Sequence, residues 1–170
     1  MTTTISSDRT TLGYALNEEE GEDFWLYGAL VTIKASADDT AGQYSLIDVE
    51  APAGIGSPWH VHRDEDEWFY VRDGEFTLYV GDRRVTLTAG GFAYGPRGVP
   101  HTFFAGPTGG KMLVGCGPNF EGLLREIAEP ATEHVLPPPP AGPPDMELLL
   151  PIAAKWAYEI LGPPGPPPGH

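Results

Sequence analysis

Short runs of β-branched and aromatic residues, separated by Gly, Pro and Asp, recur between residues 24 and 117 and constrain the fold most. The predicted strands lie at residues 24–33, 43–51, 59–62, 67–72, 75–80, 83–87, 91–94, 101–105 and 111–116. Two dipeptides among them, Asp73-Gly74 and Gly81-Asp82, are typical of tight hairpin turns. Many short strands joined by such turns predict an all-β sandwich or barrel.

The regions that flank this strand-rich body differ from it in composition. Residues 1–23 are polar and end in an acidic cluster, which predicts a solvated N-terminal arm. The last part of the chain, residues 118–170, combines apolar residues at helical spacing with Pro-rich segments at 137–144 and 163–170. We therefore expect an arm over 1–23, a β-barrel over 24–117, and C-terminal helices with a Pro-rich linker and tail over 118–170.

Two helices are expected in this C-terminal part. Asn119 can cap the first, and Pro130 stops it. Asp145 could start the second, but Pro151 lacks the N–H that a helix interior requires. The simpler prediction starts the second helix at Pro151 and ends it before Gly162, with an unordered tail behind it.

The charge balance and the cysteine count limit the partners and the compartment. The chain has 24 acidic and 10 basic residues, a formal charge of −14. Such a chain repels phosphate backbones and anionic lipid surfaces, so nucleic acid and membranes are not expected as partners. The N-terminus does not resemble a secretory signal, and Cys116 is the single cysteine, so no intrachain disulfide can form. These observations favour the cytoplasm.

Three histidines and one glutamate carry the functional signal. His60 and His62 are two residues apart, so both imidazoles share one face of a strand. Glu67 follows beyond a turn-like segment, and His101 opens a strand after a Pro- and Gly-rich turn. Each residue alone has an ordinary structural explanation, but together they suit one divalent transition metal: Fe, Mn, Ni, Co, Cu or Zn. Four protein ligands leave coordination positions open, which is typical of catalytic sites.

The spacing of these residues resembles the two conserved motifs of the cupin superfamily. The first motif is matched by Gly54, His60, His62, Glu67 and Gly74, and the second by Gly90, Pro96, Gly98 and His101. Ala105 departs from the second motif, which has Asn there, a residue that is not a metal ligand in the family. The run EDEWFYVRDGEFTLYVG and the closing residues 159–164 are similar to those of small cupins described as quercetin 2,3-dioxygenase-like.

The resemblance implies a cupin (double-stranded β-helix, or jelly-roll) barrel with C-terminal helices, in which His60, His62, Glu67 and His101 bind the metal. It implies a metal-dependent dioxygenase acting on a small aromatic, flavonol-like or enolisable substrate, with Glu67 as both ligand and catalytic base. A non-redox isomerase, epimerase, decarboxylase or polyketide cyclase is the first alternative, and a non-catalytic small-molecule binding protein is the second. A homodimer built through sheet edges and the N-terminal strand is also implied.

Apolar residues that share strand faces with the ligands are candidate substrate contacts. They are Phe69, Val71, Phe76, Leu78, Phe103, Met112 and Val114. Each of them also suits an ordinary hydrophobic core. Trp59, Trp68 and Tyr70 alternate away from the ligands, and we expect them to pack between sheets or at a subunit contact.

Overall fold

The computed structural model describes residues 13–167, and within that range the chain is mainly β-sheet. The elements in chain order are β1 (Glu22–Leu26), β2 (Ala29–Ala35), β3 (Ser45–Ala51), β4 (Pro58–His62), β5 (Glu67–Val80), β6 (Arg83–Thr88), β7 (Phe92–Gly95), β8 (His101–Cys116), α1 (Pro118–Ile127), β9 (Glu129–Pro130), α2 (Met146–Lys155) and β10 (Tyr158–Pro164). The prediction of an all-β fold with C-terminal helices is confirmed.

The strands pair antiparallel in one sheet, in the order β10-β4-β8-β3-β2-β1-β9. The two long strands β5 and β8 pair along most of their length, and β5 also pairs with β6 and β7. On β4, His60 pairs with His101 of β8, while Val80 at the end of β5 pairs with the same His101. Strands β4, β5 and β8 are therefore neighbours where the histidines lie.

The alternation of side chains along β5 determines which residues enter the core. Glu67, Phe69 and Val71 are buried, whereas Trp68 is half-buried and Tyr70 is exposed on the opposite face. Successive strand residues point to opposite faces, so the buried set forms one continuous inner wall. Burying a large apolar side chain of this kind stabilises the fold by about 1.5–3 kcal/mol.

Two pairs of predicted strands are in fact single long strands. The predicted strands at 67–72 and 75–80 form the continuous β5, because Asp73-Gly74 is a bulge and not a hairpin turn. Gly74 has a φ of 69°, and a Cβ there would collide with the backbone of Gly109, so glycine is required. The predicted strands at 101–105 and 111–116 likewise form the continuous β8.

Residues 24–33 are predicted as one strand, but the structure divides them between two, β1 and β2. They fold as a hairpin in which Leu26 pairs with Ala29 across Tyr27-Gly28. Both loop residues have positive φ, 47° and 94°, as a type I′ turn requires. By contrast, the predicted hairpin at Gly81-Asp82 is confirmed, since Val80 pairs with Arg83.

Both helix predictions need correction at their ends. The N-cap of α1 is Gly117, not Asn119, and it provides no side-chain cap. The start of α2 at Pro151 is wrong, because the Asp145 side chain accepts hydrogen bonds from Glu147 N and Leu148 N and begins the helix there. Pro151 lies inside α2 and has no N–H to donate to the carbonyl of Glu147, whereas the Asp145 side chain satisfies two amides of the first turn.

The C-terminal part continues beyond α2 as a strand and not as a tail. Helix α2 ends at Lys155, and β10 pairs with β4 through Tyr158↔His62 and Ile160↔His60. The prediction that the chain is unordered from Pro163 is wrong for Pro163 and Pro164, which belong to β10. Residues 168–170 lie outside the described range.

The described portion of the predicted N-terminal arm contacts the sheet. Lys34 of β2 donates hydrogen bonds to the carbonyl oxygens of Asn17 and Glu20, at 3.2 and 2.7 Å. Residues 1–12 lie outside the described range, and the division at residues 23 and 117 stays a prediction. Among residues 13–167, neither helix has the length and apolar character needed to cross a bilayer.

Candidate metal centre

The four residues singled out as metal ligands lie together in the structure. The ligand atoms of His60, His62, Glu67 and His101 are all within 4.8 Å of one another. Glu67 Oε2 is 2.7 Å from His101 Nε2, 3.3 Å from His62 Nε2 and 3.8 Å from His60 Nε2. All four side chains are almost completely buried. The cluster could hold one metal ion, and the role of each residue as a ligand stays a prediction.

Three neighbouring strands bring these side chains to one point. His60 and His62 project from the same face of β4, and Glu67 begins β5 after the loop that follows β4. Asp66 in that loop accepts hydrogen bonds from Arg97 N and Arg97 Nε, at 2.9 and 3.0 Å. These bonds join the β4–β5 loop to the β7–β8 loop, which leads into His101.

The outer nitrogens of two imidazoles are fixed by backbone carbonyls. Nδ1 of His60 is 2.8 Å from Pro58 O, and Nδ1 of His101 is 2.9 Å from Val99 O. A carbonyl oxygen can only accept, so Nδ1 donates in both rings. In the neutral imidazole this leaves the Nε2 lone pair facing the centre, which is the tautomer that a metal ligand needs.

The buried charges at the centre shift one another's pKa. Burial lowers the pKa of His60 to about 4. Burial also disfavours the charged form of His62, but the carboxylates of Glu67 and Glu65 outweigh it and raise the pKa of His62 to about 9. Burial alone would raise the pKa of Glu67, yet the charge of His62 and the close approach of the His101 and His60 rings hold it well below its usual range. The Glu67 carboxylate is therefore ionised at neutral pH.

The donor set fits a divalent transition metal. Within residues 13–167, Nε2 of His62 is a buried polar atom without a hydrogen-bond partner. Nε2 lone pairs directed at a carboxylate oxygen 2.7–3.8 Å away would repel it unless a proton or a cation lies between them. Three imidazole nitrogens and one carboxylate oxygen are ligands that first-row transition metals accept.

The predicted substrate contacts are found in the main hydrophobic core. Phe69, Val71, Phe76, Leu78, Met112 and Val114 are buried there, and the partly buried Phe103 packs against them. The ring of Phe69 meets that of His101 edge-on, with centroids 5.9 Å apart, and lies 5.8 Å from Phe103. A role of these residues in binding substrate stays a prediction.

Three residues around the centre were missed by the sequence analysis. Tyr158 of β10 stacks on His60 with ring centroids 4.5 Å apart, and Phe120 of α1 meets His62 edge-on at 5.4 Å. Glu65, in the acidic loop before β5, lies 3.4 Å from Nδ1 of His62. The one available signal was that residues 159–164, directly after Tyr158, resemble the closing sequence of related cupins.

The opposite face of the same strands carries an aromatic patch. It consists of Trp68, Tyr70, Phe92, Tyr94 and Leu113, which line a shallow open groove. Phe92 and Tyr94 are among the most exposed large apolar residues of the described chain. Trp68 and Tyr70 therefore point away from the ligands, as expected, whereas Trp59 is half-buried against Gly162 of β10.

Comparison with known proteins points to the same fold from sequence and from structure. Residues 48–114 match the family described as "Cupin domain". Quercetin 2,3-dioxygenase from Bacillus subtilis (strain 168) is 27% identical over 125 residues, which cover 73% of this chain and 37% of that protein. The chain thus spans little more than a third of the length of the relative it matches.

Solved structures with a similar fold include KdgF and RemF. KdgF from Halomonas sp. has a TM-score of 0.55 and 19% identity, and covers 62% of this chain and 93% of its own. The polyketide cyclase RemF from Streptomyces resistomycificus has a TM-score of 0.55 and 21% identity, with coverages of 62% and 79%. At these identities the similarity establishes the fold alone, and the predicted jelly-roll barrel is confirmed. The chain resembles cupins in sequence and in fold, and within that group it is similar to quercetin 2,3-dioxygenase.

Proposed function

We propose that this chain is a metal-dependent dioxygenase acting on a small aromatic, flavonol-like or otherwise enolisable substrate. The observation that supports this most is the buried convergence of three imidazole Nε2 atoms and the Glu67 carboxylate within 4.8 Å. Similarity to a quercetin 2,3-dioxygenase over most of this chain supports the same reaction class. A divalent transition metal bound here would supply a Lewis acid for a substrate oxygen and the redox chemistry for dioxygen.

In this proposal each residue of the centre has a defined task. His60, His62 and His101 would hold the metal through Nε2. Backbone carbonyls orient the rings of His60 and His101 at Nδ1, and Glu65 contacts Nδ1 of His62. Glu67 is a further ligand and accepts the proton of the substrate hydroxyl or enol, because its carboxylate is ionised and buried next to the centre. Both atoms of dioxygen enter the product as one C–C bond of the substrate is cleaved. The apolar rings of Phe69 and Phe103 favour an aromatic substrate.

The proposal is tested by oxygen uptake with quercetin as the first probe. We expect the wild-type chain to consume dioxygen in proportion to the quercetin that it cleaves. Glu67→Gln keeps the shape and removes the base, so turnover should fall by about 10²–10⁴-fold. Glu133→Gln removes an exposed carboxylate and should leave turnover unchanged.

Two outcomes would overturn the dioxygenase proposal. Equal turnover of enolisable substrates under nitrogen would indicate the non-redox alternative, an isomerase, epimerase or cyclase. Tight metal binding without turnover of any enolisable compound in a broad panel would indicate a small-molecule binding protein. A cytoplasmic location stays a prediction, to which the single cysteine contributes.

We propose a homodimer as the assembly, through the face that carries Trp68 and Tyr70 and not through the N-terminal strand. The N-terminal strand β1 is flanked within the chain by β2 and β9, so little of its edge remains for a partner. The aromatic patch is an exposed apolar face of the kind found at protein interfaces. Analytical ultracentrifugation should give a dimer that Phe92→Ser weakens, and a wild-type monomer at high concentration would contradict it.

A further inference from the structure

Glu65 is buried in a loop whose neighbouring residues are exposed. The loop joins β4 to β5; Arg63 and Asp64 are exposed in it, whereas Glu65 is only 8% exposed. Burial of a carboxylate costs free energy unless hydrogen bonds or charges compensate for the lost water. The partners of Glu65 therefore identify what the buried carboxylate does.

The first partner of Glu65 is the N-terminal turn of α1. Oε1 accepts a hydrogen bond from Phe120 N at 2.7 Å, and Oε2 accepts one from Asn119 N at 2.9 Å. These amides have no partner within the helix, and the N-cap Gly117 has no side chain to offer them. A carboxylate is also favoured by the partial positive charge of a helix N-terminus. Glu65 thus caps a helix more than 50 residues away in the chain.

The second partner of Glu65 is the candidate ligand His62. Oε1 lies 3.4 Å from Nδ1 of His62, on the side of the ring that faces away from the centre. His60 and His101 direct Nδ1 to backbone carbonyls two residues earlier, so the outer contact of His62 is the one that depends on another side chain. The same turn of α1 places the Phe120 ring edge-on to His62.

We propose that Glu65 is a positioning residue that couples metal binding at His62 to the docking of α1. With α1 docked, its two amides fix the carboxylate, and the carboxylate and the Phe120 ring fix the imidazole with Nε2 toward the centre. A metal ion on Nε2 restrains the same ring and so favours the arrangement that caps the helix. The coupling is reciprocal, because each event must strengthen the other by the same factor.

The inference rests on the metal site of the proposed function and is independent of the reaction catalysed there. Its first test is the affinity for Co²⁺, measured by competition with a chelator. Glu65→Gln keeps the size of the side chain but removes the charge and one acceptor, so Co²⁺ binding should weaken by about 10- to 100-fold. Asp64→Asn removes the same charge from an exposed neighbour and should bind Co²⁺ as the wild type does.

Hydrogen exchange separates coupling from a simple helix cap. In the wild type, Co²⁺ should slow amide exchange in residues 118–127, and in Glu65→Gln this metal-dependent protection should disappear. If Glu65 only caps the helix, Glu65→Gln should accelerate amide exchange in residues 118–127 by the same factor with and without Co²⁺. Its affinity for Co²⁺ should then equal that of the wild type. That result would overturn the proposal.

Gly117→Ala tests the same contact from the helix side. A Cβ at Gly117 would collide with the Glu65 side chain, so this variant displaces the carboxylate without changing a charge or a ligand. It should weaken Co²⁺ binding, whereas Gly142→Ala, which has open space around it, should not. A wild-type chain that binds no Co²⁺ overturns both this inference and the proposed function. A wild type that binds Co²⁺, with no loss in Glu65→Gln or Gly117→Ala, overturns this inference alone.

Discussion

The strands β4, β5 and β8 and the C-terminal residues 118–164 meet at the candidate metal centre in different ways. The strands supply the atoms that could touch a metal ion: three Nε2 atoms and the Glu67 carboxylate. The C-terminal residues contact the same imidazoles from behind, through the rings of Phe120 and Tyr158 and through the helix that Glu65 caps. Strand geometry therefore assembles the donor set, and local backbone carbonyls orient His60 and His101. The His62 ring is the one whose outer nitrogen depends on a side chain, Glu65, that is tied to the distant helix α1.

The largest expected effect comes from removing a donor supplied by the strands. His101→Ala should weaken Co²⁺ binding by more than ~100-fold, beyond the loss typical of outer partners, because a buried nitrogen ligand is deleted. His134→Ala is the matched control, since its Nδ1 contacts Asp23 at 2.9 Å outside the centre. Equal Co²⁺ affinities in His101→Ala and His134→Ala would show that His101 does not bind the metal.

The next effect concerns the stability of the strand region. Phe76 is fully buried in the main core, so Phe76→Ala should lower the free energy of unfolding by about 3–5 kcal/mol. Val85→Ala, on the exposed side of β6, should change it by less than about 0.5 kcal/mol. Denaturant titration measures the free energy of unfolding of both variants. A loss in Phe76→Ala as small as that in Val85→Ala would show that the inner wall is not the main source of stability.

A smaller core holds the C-terminal residues together and allows the two regions to be compared. Leu123 is buried there with Ala153 and Tyr158, so Leu123→Ala should cost about 2–5 kcal/mol. Hydrogen exchange should accelerate most in α1 and β10 and least in β3 and β8. Uniform acceleration across the sheet would show instead that both regions unfold as one cooperative unit.

The smallest effect is expected at the start of α2. Asp145→Ala removes the side chain that accepts hydrogen bonds from Glu147 N and Leu148 N, and should cost about 0.5–2 kcal/mol. Thermal unfolding compared with Glu133→Ala, an exposed residue outside the helices, measures this difference. An unchanged unfolding temperature in Asp145→Ala would mean that another feature of the chain begins α2.

The sequence predicts the strand-borne part of the centre better than the part behind it, for a physical reason. Spacing two residues apart on a strand determines which face a side chain occupies, so the shared face of His60 and His62 could be expected. Grouping Glu67 with them depended on the resemblance to the cupin motif, because Glu67 begins another strand. The turn signal at Asp73-Gly74 is local and cannot distinguish a bulge from a hairpin, which explains the division of β5. Glu65 and Tyr158 act through contacts between distant parts of the chain, which no local pattern encodes.

The most direct test of the metal centre is the metal content of protein purified without chelators, measured by mass spectrometry. The account predicts about one divalent transition-metal ion per chain in the wild type, and little or none in His101→Ala. A wild-type chain that retains no metal after incubation with excess Fe²⁺, Mn²⁺, Co²⁺, Ni²⁺, Cu²⁺ and Zn²⁺ would contradict it.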